Sequence, residues 1–390
     1  MAVRRRTVLG GMLAGAAAVA TSGCLADSSA DTPAEQSTPT KPGPGGLPAP
    51  GGPKPPARIT VVATGDVLLH ERLWTTAKRD GKGGQWDFAP LLSSVKPLVQ
   101  QADLAIAHLE TPLARAGGPY RGYPLFQGPP QIVAALKQTG YDLCTTASNH
   151  SFDGGSAGVD RTLDLLDKAA LKHAGTARSR AEAEGTTIVD VHGVKVASLS
   201  FTFGFNGLPY PNGETWRAAL ISAKTIKRKA QEARDRGAEL VLVSCHWGTE
   251  YSNKLNDQQR AIGPELLADS NIDLVIGHHA HVVQPMQEID GKWIAYGLGN
   301  LVAAHREPAS RKAEGLLTRF TFTRNPDGNG NRWRTEAAYA PLLMTDDLPV
   351  RVLDVRRELA GHTSRRARLR LAQRRTTETV AALGAHPGLV

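Results

Sequence analysis

The sequence predicts an α/β fold in which helices pack on a central β-sheet with mostly parallel strands. From Arg58 onward, short apolar runs alternate with longer amphipathic segments, which is typical of repeated strand–helix units. The apolar runs are nearly continuous, as expected of strands that are buried on both faces. The chain has 390 residues, of which 41% are hydrophobic, so it can bury a sizeable core.

The elements follow in order along the chain. We predict strands at 58–66, 103–110, 141–149, 194–202, 239–247, 273–279 and 293–300. We predict helices, from apolar residues near the helical period, at 90–101, 129–139, 156–171, 222–236 and 256–269. The run at 315–323 suits a late antiparallel or edge strand, and 353–384 has helical composition.

The first 57 residues are predicted to contain an export signal and a linker that tethers the folded part of the chain to the membrane. Residues 1–24 combine "RRR" at 4–6, a short apolar stretch and "TSGC", so they resemble a twin-arginine signal ending in a lipobox with lipid on Cys24. An ordinary cleaved signal peptide or an uncleaved anchor is the alternative. Residues 25–57 are rich in Pro, Gly and Ser, which predicts a disordered linker. We therefore expect a lipoprotein on the outer face of the cytoplasmic membrane.

The rest divides into a main domain at 58–345 and a basic C-terminal segment at 346–390, packed on that domain or extending it. The formal net charge of +9 comes from the two ends of the chain. Residues 4–6 are arginines, and 351–390 holds nine arginines against three acidic residues, so 7–350 is formally neutral. A basic surface for nucleic acid therefore loses its main support, and we expect no nucleic-acid partner.

The two cysteines beyond residue 24 lie inside apolar runs. Cys144 and Cys245 are expected to be buried core thiols. A disulfide between them stays open for an exported protein.

Polar side chains of one chemical kind follow the predicted strands. They are Asp66, Glu110, Asn149, His150, His246, His279 and His281. The carboxyl ends of strands form the functional edge of an open α/β sheet, so these residues are expected to meet there. Any one of them alone would more simply be a helix cap or a core histidine. Together, carboxylate, amide and imidazole groups suit manganese, zinc or iron, and two such ions about 3.5–4 Å apart could activate a water.

Six short motifs resemble the CapA, or poly-γ-glutamate capsule-synthesis, family. They are "TGDVLLH" (64–70), "AHLETPL" (107–113), "ASNHSFDGG" (147–155), "HWGTEY" (246–251), "GHHAHVVQP" (277–285) and "YGLGNLV" (296–302). They cover approximately 58–340. The resemblance implies a metallophosphatase-like layered sandwich, similar to the calcineurin type, in which helices pack on central mixed sheets.

The resemblance also implies roles for the strand-end residues. The metal ligands would be Asp66, Glu110 in the place of a bridging Asp, Asn149, His246, His279 and His281. His150 would face the substrate as an acid or transition-state stabiliser. This sequence departs from the pattern at two positions, since Leu68 occupies the place of a histidine and Glu110 is longer than Asp. These departures predict weaker binding of one or both metals, or altered activity.

Three further histidines lie near the predicted ligands, and their expected roles differ. His70 either replaces the missing histidine or starts a helix at the surface. His108 lies on the same strand face as Glu110 and could orient a ligand. Residues two apart in an extended segment share a face, so His279 and His281 should reach a metal while His278 points elsewhere or supports a ligand.

Four other residues lie near the predicted site. Asp153 is expected to cap the helix near Ser156 or to hold its loop. Glu250 and Tyr251 are candidate substrate contacts or plain loop residues. Asn300 would lie at the rim of the site or close a turn.

The predicted function is metal-dependent hydrolysis during synthesis, release or remodelling of a poly-γ-glutamate-type polymer. The expected partners are such an anionic polymer or a phosphoester, the membrane through a lipid anchor, and capsule-synthesis machinery. One alternative is a general exported metallophosphoesterase. The other is a non-catalytic subunit that binds or assembles the polymer.

Overall fold

The computed structural model describes residues 58–304, 307, 309–325 and 331–390. The predicted signal at 1–24, the lipidation at Cys24 and the linker at 25–57 lie outside these residues. Within the described part of the chain, no helix has both the length and the apolar content that crossing a membrane requires.

The described strands and helices are numbered in chain order. The strands are β1 (Arg58–Val67), β2 (Leu104–Leu109), β3 (Leu143–Thr145), β4 (Lys172–Ala174), β5 (Thr187–Val191), β6 (Val194–Thr202), β7 (Leu240–Trp247), β8 (Leu274–His279), β9 (Met286–Ile289), β10 (Lys292–Ala295), β11 (Asn300–Val302), β12 (Glu314–Arg324), β13 (Trp333–Met344), β14 (Val352–Asp354) and β15 (Gly388–Leu389). The helices are α1 (Glu71–Asp80), α2 (Lys96–Val99), α3 (Ile132–Thr139), α4 (Gly155–Lys168), α5 (Arg180–Glu184), α6 (Ala223–Asp235), α7 (Asp257–Leu267), α8 (Val355–Ala360) and α9 (Arg366–Val380).

The strands form two mixed sheets. The first has the order β14-β13-β12-β1-β2-β3-β4, with β11 paired to β1 and β15 to β13, and the second has the order β5-β6-β7-β8-β10-β9. Strands β1 to β4 are parallel, as are β6, β7, β8 and β10, while β12 and β13 are antiparallel additions. The parallel strands therefore form one side of the first sheet and the centre of the second, because crossover connections return the chain to the same end.

Alternation along the strands divides the core into layers. Val61 and Ala63 of β1 pack between the sheets with Val196 of β6 and Leu242 of β7. Val62 faces the other way, into the apolar layer that holds the helices beside the first sheet. A third apolar cluster covers the outer face of the second sheet under α6 and α7. This arrangement of helices on two central mixed sheets confirms the predicted fold class.

Several element boundaries differ from the prediction. The strand expected at 293–300 is two strands, β10 and β11, which belong to different sheets. Gly299 separates them with a φ of 66°, a left-handed conformation that favours glycine. The helix expected at 90–101 is a short 3-10 turn and the four-residue α2, each with proline near its start. The long strand β13 had no predicted counterpart, because its exposed half carries polar and small residues.

The C-terminal segment packs on the first sheet. Val380 of α9 lies in the apolar layer between the sheets, and Leu369 lies in the layer beside the first sheet. Arg368 and Arg375 donate to the buried carboxylate of Glu314 at 2.7 and 3.1 Å. The described residues all belong to one compact unit.

Cys144 and Cys245 are free and buried, as the apolar runs around them predict. Burial raises the pKa of both thiols, that of Cys144 to about 12.

Candidate metal centre

The carboxyl ends of the two sets of parallel strands meet at one edge of the sandwich. Asp66 lies near the end of β1 and pairs in register with His108 of β2 and Asn300 of β11. Gly65 allows this approach, since a Cβ at that position would lie 1.9 Å from the Gly299 carbonyl oxygen. The backbone N–H of Asp66 donates to the same oxygen at 2.9 Å. Asp66 is thereby fixed between two strands of its sheet.

Two groups of donor atoms at this edge share one carboxylate. Asp66, Glu110 and His281 form the first group, and Glu110, His246 and His279 form the second. Within each group the donor atoms lie within 4.8 Å of one another, and all these residues are buried. Glu110 therefore lies where a ligand common to two ions would be.

The Glu110 side chain is buried without hydrogen bonds. The residue is 1% exposed, and neither Oε1 nor Oε2 has a hydrogen-bond partner. Burial raises the pKa of this carboxyl to about 7, although His281 acts in the opposite direction. A buried carboxylate without partners is costly, and a bound cation would remove that cost.

Asp66 and Asn300 hold His281 from one side. His281 Nδ1 lies 2.9 Å from Asn300 Oδ1 and 3.1 Å from Asp66 Oδ2, and its Nε2 lies 3.6 Å from Glu110 Oε1. Burial alone would lower the pKa of His281, but Glu110 and Asp66 raise it to about 10. Burial raises the pKa of Asp66, and contacts with His278 and His281 lower it by more. Asn300 therefore orients a candidate ligand, which is a closer role than the rim or turn expected from sequence.

The other half of the site joins Asn149 and His246. Nε2 of His246 lies 2.8 Å from Oδ1 of Asn149 and 3.9 Å from Oε1 of Glu110. On the far side, Nδ1 of His246 lies 2.9 Å from Nε2 of His108. Burial lowers the pKa of both imidazoles well below the usual value, as do the neighbouring histidines. Asn149 lies beyond the end of β3, which stops at Thr145, so the strand predicted to reach 149 was too long.

The three histidines at the end of β8 occupy different positions. His279 and His281 have φ angles of 89° and 55°, so the chain is not extended between them, and the argument from strand alternation was wrong. A turn of left-handed residues brings both into the site. His278 also faces it, with Nδ1 3.3 Å from Asp66 Oδ1 and its ring stacked on His108 at 4.0 Å. His278 therefore supports other site residues and does not point away.

His150 and Asp153 form a buried pair beside the candidate ligands. Nδ1 of His150 lies 2.7 Å from Asp153 Oδ2, which also accepts the backbone N–H of Phe126 at 2.7 Å. Burial lowers the pKa of His150, but Asp153 and Glu110 raise it above the ordinary value. Of the two roles expected for Asp153, the structure excludes the helix cap, because Gly154 occupies the N-cap of α4 with no side-chain bond. Asp153 instead holds a loop and orients His150.

The remaining predicted residues lie at the mouth of the site. His70 is the N-cap of α1, and its Nδ1 accepts the N–H of Ala304 at 3.2 Å. It belongs to none of the metal-competent groups among the described residues. Leu68 is buried in the apolar core and offers no ligand atom. Glu250 does form such a group, with His279 and His281.

Tyr251 and Lys312 contact each other beside the group formed by Glu250, His279 and His281. Tyr251 has a φ of 64° and donates its N–H to the Ala280 carbonyl at 2.7 Å. Its ring is 47% exposed and lies 6.0 Å from that of His281. Lys312 Nζ lies 4.1 Å from the centre of the Tyr251 ring, a cation–π contact.

Sequence reasoning missed several residues that contact the site. Phe203 packs against His279 with ring centres 4.5 Å apart, Asn206 accepts a bond from Asn149 Nδ2 at 3.2 Å, and Thr145 contacts His108 at 2.9 Å. All three lie at or just beyond the carboxyl ends of β3 and β6. The rule that pointed to the other residues could therefore have found them.

The donor set fits divalent metal ions. Two carboxylates, one amide oxygen and several imidazoles are the mixture that manganese, zinc and iron accept. Nδ1 of His279 is buried without a hydrogen-bond partner, like both oxygens of Glu110. His279 and Glu110 also belong to one group of ligand atoms that lie within 4.8 Å of one another, where a bound cation could interact with both side chains.

Comparisons with known proteins agree with the sequence motifs. The family described as "Bacterial capsule synthesis protein PGA_cap" matches residues 60–305, well over half of the chain. "Capsule biosynthesis protein CapA" of Bacillus anthracis is 26% identical over 254 residues, 63% of this chain and 60% of that protein. "PGA biosynthesis protein CapA" of Bacillus subtilis is 25% identical over 268 residues, 68% of each chain. This chain thus matches about 60% of the length of the first relative.

Among solved structures, the calcineurin-like phosphoesterase YfkN from Bacillus subtilis is similar to this chain. The TM-score is 0.44 and the sequence identity 15%, over 83% of this chain and 97% of that one.

Proposed function

Because the chain belongs to the bacterial capsule synthesis protein PGA_cap family, we propose that it hydrolyses a poly-γ-glutamate-type polymer during its synthesis, release or remodelling, using bound metal ions. The observation that supports this most strongly is Glu110. Its buried carboxylate has no hydrogen bond and belongs to both groups of donor atoms. Such an arrangement suits two divalent ions, whose identity among manganese, zinc and iron the donor set leaves open.

Metal ions, when bound, would supply an activated water and polarise the bond to be cleaved. The protein's own residues would do the rest. Asp66, Glu110 and His281 would hold one ion, and Asn149, His246 and His279 would complete the other with Glu110. His150 would protonate the leaving group from Nε2, since Asp153 holds its Nδ1 and, with Glu110, raises the pKa of the ring above its ordinary value.

The mouth of the site suits a chain of amide-linked glutamates. Phe203 and Tyr251 are 40% and 47% exposed and flank His279 and His281. Exposed aromatic rings can pack against the flat amides and methylenes of such a polymer. Lys312, beside Tyr251, is paired with Glu307 at 2.9 Å, and a free α-carboxylate of the polymer could compete for its positive charge.

A turnover comparison tests this proposal. The full chain with added manganese should cleave a γ-linked glutamate oligomer faster than a generic phosphodiester, and His150→Gln should lower kcat. His192→Gln is the matched control, because His192 is exposed and lies at the turn after β5, away from the site residues. Faster cleavage of the phosphodiester would favour a general metallophosphoesterase. Cleavage of neither substrate, with polymer binding retained, would favour a non-catalytic subunit.

We also propose that the protein is exported and anchored to the outer face of the membrane through a lipid on Cys24, where it would work beside capsule-synthesis machinery. The sequence "TSGC" and the linker that follows support this location. Cys24→Ala should release the protein from the membrane fraction into the medium. Retention of the variant in membranes would favour an uncleaved anchor.

A further inference from the structure

We propose that His108 is a positioning residue that sets which ring nitrogen of His246 is free to bind a metal ion. The inference rests on the proposed metal centre. His108 also forms a metal-competent group with Asp66 and His246, but contacts with His246 and Thr145 engage both of its ring nitrogens, which favours a role in orienting His246 over direct metal binding. The basis of the inference is a buried chain of hydrogen bonds that leads from the candidate ligand into the first sheet.

Three contacts form this chain. Nδ1 of His246 lies 2.9 Å from Nε2 of His108, whose Nδ1 lies 2.9 Å from Oγ1 of Thr145. The Thr145 hydroxyl can in turn donate to the Ala107 carbonyl, 3.5 Å away. His108 and Thr145 are fully buried and His246 is 1% exposed, so water has little access to these atoms.

The chain can run in two directions, because each contact between polar atoms needs one proton. In the first, His246 donates from Nδ1 to His108, His108 donates from Nδ1 to Thr145, and Thr145 donates to Ala107. In the second, Thr145 donates to His108, and His108 donates from Nε2 to His246. Nε2 of His246 then carries a proton and donates to Asn149 Oδ1 at 2.8 Å.

Only the first direction prepares a metal site. It leaves a lone pair on Nε2 of His246 beside the amide oxygen of Asn149, whose Nδ2 is occupied by Asn206. Nε2 of His246 then lies 3.9 Å from Glu110 Oε1 as an acceptor. Each imidazole carries one proton in either direction, so the pair gains or loses none when the direction changes. Metal binding should therefore select the first direction.

His108 is held rigidly enough to act in this way. Its ring stacks on that of His278 at 4.0 Å with an interplanar angle of 13°. His278 Nδ1 lies 3.3 Å from Asp66 Oδ1. The His108 ring is thus held by His246 and His278, and an apolar residue at 108 would leave Nδ1 of His246 without a buried partner.

Two measurements on the full chain test the role of His108. In zinc-loaded protein with ¹⁵N-labelled histidine, NMR should show His246 and His108 both protonated on Nδ1. His108→Leu should weaken zinc binding about 10–100-fold in competition with a chelator, as is usual when a partner that orients a ligand is lost. His108→Gln can still accept the His246 proton and should stay within about fivefold of wild type. His173→Gln, which removes a largely buried histidine of β4, should bind zinc like wild type.

Three outcomes would overturn the inference. One is a zinc-loaded protein in which His108 carries its proton on Nε2. Another is a His108→Leu variant that circular dichroism shows to be folded and that binds zinc as tightly as wild type. The last is wild type that binds no zinc, which would also remove the metal centre. Lack of hydrolysis alone would count against the proposed function and leave these binding results intact.

Discussion

Replacing Glu110 with glutamine should stabilise the metal-free protein above pH 7. Burial raises the pKa of Glu110 from its ordinary value of 4.5 to about 7. Between these two values the folded state holds a proton that the unfolded state has released. The free energy of unfolding should therefore fall as the pH rises from 4.5 to about 7, and the loss persists above that range.

The size of the effect follows from the two pKa values. Their difference corresponds to about 3 kcal/mol at pH 8. The glutamine amide would also lack hydrogen-bond partners, which costs on the order of 1 kcal/mol. Glu110→Gln should thus raise the free energy of unfolding at pH 8 by about 2 kcal/mol and change it little or lower it at pH 4.5.

Urea unfolding in the presence of EDTA measures this difference. Glu288→Gln is the control, because Glu288 is exposed on β9. Manganese at a hundred times its dissociation constant should stabilise wild type by about 2.7 kcal/mol and the Glu110→Gln variant by much less. The reasoning is refuted if the variant is no more stable than wild type at pH 8 without metal, or gains as much from manganese.

Three further predictions follow from other contacts. Asp153→Asn should move the alkaline limb of the pH–rate profile to lower pH, since burial lowers the pKa of His150 while the Asp153 carboxylate, together with Glu110, raises it; an unchanged limb between pH 5 and 9 would count against His150 as the acid. Cys144, whose pKa burial raises to about 12, should resist iodoacetamide at pH 8 until the protein is unfolded, as followed by peptide mass spectrometry. Asp273→Ala should cost about 3–5 kcal/mol in urea unfolding, because it leaves the buried charge of Arg234 without its partner at 2.6 Å; a loss below about 1 kcal/mol would contradict this.

The sequence predicted the edge of the sheets at which the polar residues meet, because parallel strands end together. Asp66 and His246 lie at the carboxyl ends of buried apolar strands, and such runs are recognisable without a structure. Both cysteines could likewise be placed in the core from their neighbours.

Other features depended on contacts between distant residues. The left-handed conformations of His279 and His281 are not encoded by a local glycine, so strand alternation could not describe the backbone at these two residues. Asn300 contacts His281 in the turn after β8, and Thr145 contacts His108 in β2, and no spacing within one strand indicates either pairing. The strand β13 was missed because its composition does not favour a strand. Hydrogen bonds to the neighbouring strand β12 stabilise it instead.

Metal occupancy at Glu110 tests the central claim most directly. A crystal structure of the metal-loaded protein, with anomalous scattering to identify the ions, should place two ions about 3.5–4 Å apart on either side of the Glu110 carboxylate. A His279→Ala, His281→Ala double variant should retain neither ion fully. Equal metal content in wild type and the double variant, or a Glu110 carboxylate that contacts no ion, would contradict the account.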